Sequence, residues 1–101
     1  MAKRKSIIHH PGKILREEFL IPAQITPQQL AHTIGISTKE MNQIINEKKD
    51  LGKEIAASLA VYFSTAPTFW VNLQSNYDEE QVEKFWYKSS KKEIQPLSYS
   101  R

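Results

Sequence analysis

The sequence predicts an all-α domain of five to six helices built around a helix-turn-helix, with a C-terminal helical extension. Three observations carry this. Apolar residues recur at helical spacing along most of the chain, helix start and stop signals punctuate it at short intervals, and neither an internal repeat nor a linker divides its 101 residues. A chain of this length forms one domain with a modest core.

Residues 1–8 read as a flexible basic arm carrying Lys3, Arg4 and Lys5. Such an arm lies along a phosphate backbone or in a minor groove, or serves only as a solubilising end. His9 and His10 are adjacent, cannot share one face of a helix, and fall in the turn before the first helix. Pro11 suits the first position of that helix, whose buried stripe is Ile14, Leu15 and Phe19 and which Pro22 is expected to stop.

The centre of the chain is residues 26–49, TPQQLAHTIGISTKEMNQIINEKK. Thr26 caps, Pro27 follows where a missing N–H costs nothing, and Gln29 completes a capping box. Leu30, Ala31 and Ile34 form the buried face, and Gly35 ends the helix. Ser37 with Glu40 opens a second capping box at once. In the helix that follows, Met41, Ile44 and Ile45 point one way; Thr38, Lys39, Asn42, Gln43 and Asn46 point the other. Amides and hydroxyls donate and accept, and lysine donates to guanine acceptors, so this outer face suits base-pair edges. A plain solvated helix face is the competing reading. Lys48 and Lys49, just beyond the helix, suit phosphate or the helix's own negative end.

A fourth helix runs from about Lys53 to Ser64, with Ile55, Leu59, Tyr62 and Phe63 on its packing side. Pro67 opens a fifth, in which Phe69, Trp70, Leu73 and Tyr77 follow helical spacing as core or dimer seam, with Asn72 and Gln74 as polar partners. Asp78 with Gln81 reads as another cap, so a sixth helix or a kinked continuation is expected there, dividing a domain at 9–78 from a C-terminal helix and tail at 79–101. Val82, Phe85 and Trp86 then form a narrow apolar strip on a polar helix, which fits an interface. Its partner is the domain itself, a second copy, or another protein.

Composition narrows the function classes. Residues 1–55 hold nine Lys/Arg against six Asp/Glu, and residues 56–101 five against five, so the net charge of +3 lies wholly in the helix-turn-helix half. That field favours phosphate. With no cysteine, thiolate metal sites and cysteine nucleophiles are excluded. Three histidines without zinc-like spacing, and no glycine-rich phosphate loop, argue against an enzyme and against a cofactor or metal. No apolar run reaches membrane-spanning length, and the MAKRKS start leads into no secretory signal, so a cytoplasmic protein is expected.

The sequence resembles the lambda-repressor-like helix-turn-helix superfamily and, more narrowly, the HigA-type antitoxins of bacterial toxin–antitoxin operons. The residues at 10–20, HPGKILREEFL, match the family's opening HPGxxLxxEFL; the central segment matches its helix-turn-helix; and FWVNLQSNYD at 69–78 matches its FWxNLQxxYD signature. The resemblance spans about residues 9–97. It implies a five-helix core and a homodimer on a palindromic double-stranded operator. It also implies repression of the protein's own operon and neutralisation of a HigB/RelE-like mRNA endonuclease toxin. By position, Thr38, Lys39 and Gln43 would read bases, while Gln28, Asn42, Lys48 and Lys49 would contact backbone. Trp70, Val82, Phe85 and Trp86 would serve the dimer or toxin interface. The family's usual glycine after the recognition helix is Glu47 here, which places a β-carbon where positive φ is expected. A glutamine usual at the start of the second helix is Pro27, and a threonine cap before the fourth is Gly52. A stand-alone repressor without a toxin, or an interaction module that has lost DNA binding, are the alternatives these departures leave open.

Overall fold

The computed structural model describes residues 8–97, which form five helices; the basic arm expected at 1–8 lies, but for Ile8, outside them. Helix α1 spans residues 11–23. His10 caps it, its Nδ1 accepting a 2.9 Å hydrogen bond from the Gly12 N–H, and Pro11 takes the first position. From Leu15 to Leu20 the ladder is π-helical, and the Ile21 N–H donates to the Arg16 carbonyl, five residues back. The expected stop at Pro22 is therefore overrun. In a regular α-helix the proline ring would meet the carbonyl four residues earlier, and the wider π ladder carries that carbonyl aside. The helix ends one residue later, at Ala23.

Helix α2 covers Pro27–Ile34, and its capping box is complete. Thr26 Oγ1 accepts from the Gln29 N–H at 3.0 Å, and Gln29 Oε1 accepts from the Thr26 N–H at 2.9 Å. Helix α3 covers Thr38–Ile45. Ser37 Oγ accepts from the Glu40 N–H at 3.0 Å, but the second half of the expected box is missing, because the Glu40 carboxylate pairs with Lys49 instead. Helix α4, Lys53–Phe63, starts at Gly52 without a side-chain cap, as the absent hydroxyl predicts.

Helix α5 runs from Pro67 to Ser90 without interruption, about 36 Å long at 1.5 Å per residue. The break expected at Asp78 does not occur. Asp78 sits one turn beyond Gln74, and its Oδ1 accepts from Gln74 Nε2 at 2.9 Å, a bond within the helix that serves no new N-terminus. Residues 79–90 are thus continuous with the helix that closes the domain.

The core is shared by all five helices: Leu15, Leu20, Leu30, Ala31, Met41, Ile44, Leu59 and Trp70 are each at most 2% exposed. Trp70, assigned above to a dimer or toxin interface, is corrected to an interior residue. Its ring lies 4.8 Å from that of Phe19, 5.0 Å from Phe69 and 6.2 Å from Phe63, which leaves no area for a partner. Tyr62, expected on the packing side of α4, is 43% exposed and leans on the Phe63 ring, because α4 buries only the stripe through Ala56, Leu59 and Ala60.

Candidate nucleic-acid interface

The site is the outer surface of α3 with the loop that leaves it. Met41, Ile44 and Ile45 bury the inner face of α3, while Thr38, Lys39, Asn42 and Asn46 are exposed and Gln43 is half-buried. Every residue expected on the reading face therefore stands at the surface. Gln28 is exposed at the start of α2. The inner face is held closely: Gly12 of α1 lies against the Ile44 carbonyl, and a β-carbon at position 12 would overlap it.

At the end of α3 the chain turns through Glu47, whose φ of 63° is left-handed as expected for the position usually held by glycine. The Lys48 N–H reaches back to the Gln43 carbonyl at 2.8 Å, and the Glu47 N–H to Ile44 at 3.0 Å. The same 6→1 bond closes α1, α2 and α4, by Ile25 to Leu20, Ile36 to Ala31 and Thr65 to Ala60, each at 3.0 Å.

Three successive residues then tie this loop to three helices. Lys49 Nζ lies 2.8 Å from Glu40 Oε2 on α3. Asp50 Oδ1 lies 3.9 Å from Nε2 of the buried His10 at the start of α1. The Leu51 N–H donates to Gln74 Oε1 on α5 at 2.7 Å. Because His10 Nδ1 accepts from Gly12, the proton of the neutral imidazole sits on Nε2, the atom turned towards Asp50. The Tyr77 ring meets the His10 ring edge-on at 4.9 Å. Lys49, expected to serve phosphate, thus has its ammonium on a carboxylate, whereas the Lys48 side chain stays exposed and pairs with no carboxylate among the described residues. His10 and Gln74 were not singled out as site residues from sequence. The signal for both was their place inside the two outer signatures, HPG at 10–12 and NLQ at 72–74.

A second surface lies on the far half of α5. After Gln74 no residue of this helix is buried, and Val82, Phe85 and Trp86 are 65%, 61% and 68% exposed. Lys88 Nζ lies 5.9 Å above the Phe85 ring. No group of His, Asp and Glu side chains among the described residues is arranged to hold a metal ion. No helix among them is long and apolar enough to cross a membrane.

A short turn between α2 and α3, a buried inner face and a polar exposed outer face define a protein of the helix-turn-helix class. No protein-family profile matches the chain. Virulence-associated protein I of Dichelobacter nodosus is 36% identical over 74 residues, 73% of this chain and 68% of that protein. The chain spans about two thirds of the length of the curated relatives it matches, 63% and 65% for two helix-turn-helix regulators of Haemophilus influenzae and Escherichia coli. Among solved structures, the Pseudomonas aeruginosa antitoxin HigA with the higBA promoter superposes with a TM-score of 0.78 at 37% identity, covering 90% of this chain and 99% of that one. The antitoxin GraA in complex with its operator gives 0.77 at 30% identity, covering 98% and 100%. The chain belongs to the HigA family of helix-turn-helix antitoxins. That family is one of DNA-binding regulators and not of enzymes.

Proposed function

We propose that this chain is a HigA-type antitoxin: a dimeric autorepressor of its own operon that also binds and neutralises a HigB/RelE-like mRNA endonuclease, in the cytoplasm. The observation that carries the reading is the outer face of α3, which exposes Thr38, Lys39, Asn42 and Asn46 on a helix clamped by buried Met41, Ile44 and Ile45. Thr38, Lys39 and Gln43 read bases; Gln28, Asn42 and Lys48 contact phosphate. Two copies place their α3 helices in successive major grooves about 34 Å apart. Support comes from the two relatives solved with promoter and operator DNA.

The exposed strip of Val82, Phe85 and Trp86 serves the partner contact, because a large apolar patch on a polar helix is the usual mark of an interface. The test is a gel shift with the duplex upstream of the protein's own gene at two salt concentrations, with co-expression of the neighbouring reading frame. Retention that weakens as salt rises, together with rescue of growth from the neighbour's product, is the expected result. No retention at either salt concentration overturns the DNA reading. Growth arrest that persists on co-expression overturns the toxin reading.

A further inference from the structure

The geometry points to Gln74 as the residue that positions the phosphate-contacting loop, acting through Leu51. This deepens the DNA-binding reading above and rests on it. Gln74 is 8% exposed, and both ends of its amide are engaged: Oε1 accepts from the Leu51 N–H at 2.7 Å, and Nε2 donates to Asp78 Oδ1 at 2.9 Å. The first bond spans 23 residues of sequence and joins the helix that closes the domain to the loop after the recognition helix. Leu51 is itself buried, so its N–H has no solvent to turn to if Gln74 is removed.

Lys48 stands at the head of this short loop, three residues before the tether. Its backbone is fixed on one side by the bond from its N–H to Gln43 and on the other by the anchors on Lys49, Asp50 and Leu51. Of these anchors the Glu40–Lys49 pair joins an exposed lysine to a half-buried carboxylate at the surface and is worth little, and the His10–Asp50 separation of 3.9 Å exceeds a hydrogen bond. Gln74 therefore holds the loop by the one short, buried bond. The Leu51 N–H only donates and so takes the carbonyl end of the Gln74 amide, while Asp78 steadies that orientation by accepting from the amino end. Gln74 touches no DNA in this assignment. It sets where Lys48 meets the phosphate.

The test is the dependence of operator affinity on salt, measured by fluorescence anisotropy with the full chain and its promoter duplex. Each lost phosphate contact lowers the slope of log K against log salt by about 0.9, so Lys48→Ala lowers it by about 2 in a dimer. Gln74→Met, close in volume but without the amide, is expected to lower the slope by a similar amount and to add nothing to Lys48→Ala in the double variant. Asp78→Asn, which still accepts from Nε2, is expected to keep the wild-type slope. If Gln74→Met does not fold, Asp78→Ala at an exposed position is read in its place and is expected to lower the slope in the same sense. A weaker affinity with an unchanged slope, or an effect that adds in full to Lys48→Ala, overturns the assignment while the DNA reading stands. A wild-type chain that binds no duplex overturns both.

Discussion

Gly12 and Ile44 meet backbone to backbone, where α1 crosses the end of the recognition helix, so closely that a β-carbon on Gly12 would overlap the Ile44 carbonyl. The obstacle is main chain, which cannot swing aside as a side chain does. Gly12→Ala is expected to destabilise the domain by about 1–3 kcal/mol through overpacking. For a domain of this size that lowers Tm by roughly 4–8 °C per kcal/mol. Thermal unfolding by circular dichroism checks it, and an unchanged Tm would mean that α1 does not clamp α3. Gly35 and Gly52 have open space at the same position, so their alanine variants avoid this clash, although Gly35 carries a left-handed φ of 82°.

Glu47 holds a left-handed φ of 63° between α3 and the loop, a conformation that costs a residue with a β-carbon about 1–2 kcal/mol more than glycine. Glu47→Gly is expected to raise Tm. It also removes a carboxylate beside Lys48, so operator affinity should rise in the same variant, most visibly at low salt. A Tm that falls would show that the Glu47 side chain makes up for its backbone strain. Ser64, at φ 57° after α4, offers a control with the same backbone and no nearby reading face.

These two sites also mark how far the sequence could be read. The left-handed turn at position 47 was foreseeable, since the bond pattern that ends a helix needs such a residue whatever its type. The caps at Thr26 and Ser37 were legible for the same reason: they are local, three residues in span, and set by one side-chain oxygen. The uninterrupted α5 was not. Asp78 followed by Gln81 has the spacing of a cap, but an aspartate one turn after a glutamine can equally bond within the helix, and only the burial of Gln74 decides between them. The π-helical stretch at Leu15–Leu20 and the Glu40–Lys49 pair were also out of reach, because each depends on what lies across a turn in space.

Trp70 and Trp86 lie on the same helix in opposite surroundings, one fully buried and one 68% exposed. Trp70→Ala is expected to cost about 3–5 kcal/mol of folding stability, because the cavity would open among Phe19, Phe63 and Phe69. Trp86→Ala should leave the protomer's own stability within about 0.5 kcal/mol, since it removes no interior contact. Chemical denaturation at low protein concentration separates the two. Equal losses would place Trp86 in a core that the fold does not show.

On the reading face, Lys39→Ala and Gln43→Ala are each expected to cost about 1–3 kcal/mol of operator binding and to relax preference at the base pair each contacts. Neither substitution removes a buried side chain, so Tm should stay close to that of the unaltered chain. Binding to a panel of operators with single base-pair changes is the measurement. A loss of the same size on every duplex would reassign the residue from base to phosphate.

The far half of α5 carries the last prediction. Val82, Phe85 and Trp86 recur at the spacing of one helical face, yet nothing in the described protomer covers them. An exposed strip of this kind is unfavourable to hydration and is stabilised by meeting a partner, with the aromatic side chains as its anchors. If the partner is a second copy, Phe85→Ala with Trp86→Ala should weaken association by at least about 2 kcal/mol, or roughly thirtyfold in the dimer dissociation constant. Sedimentation equilibrium reads that directly. Operator affinity should fall with it, because two recognition helices that are no longer joined lose the gain of binding together. Lys39→Ala lowers operator affinity too but leaves self-association untouched, so the pair of variants separates loss of the reading face from loss of the scaffold that spaces it. A double variant that stays dimeric but no longer rescues cells from the neighbouring gene's product would give the strip to the toxin, and the dimer seam would then have to lie on another helix.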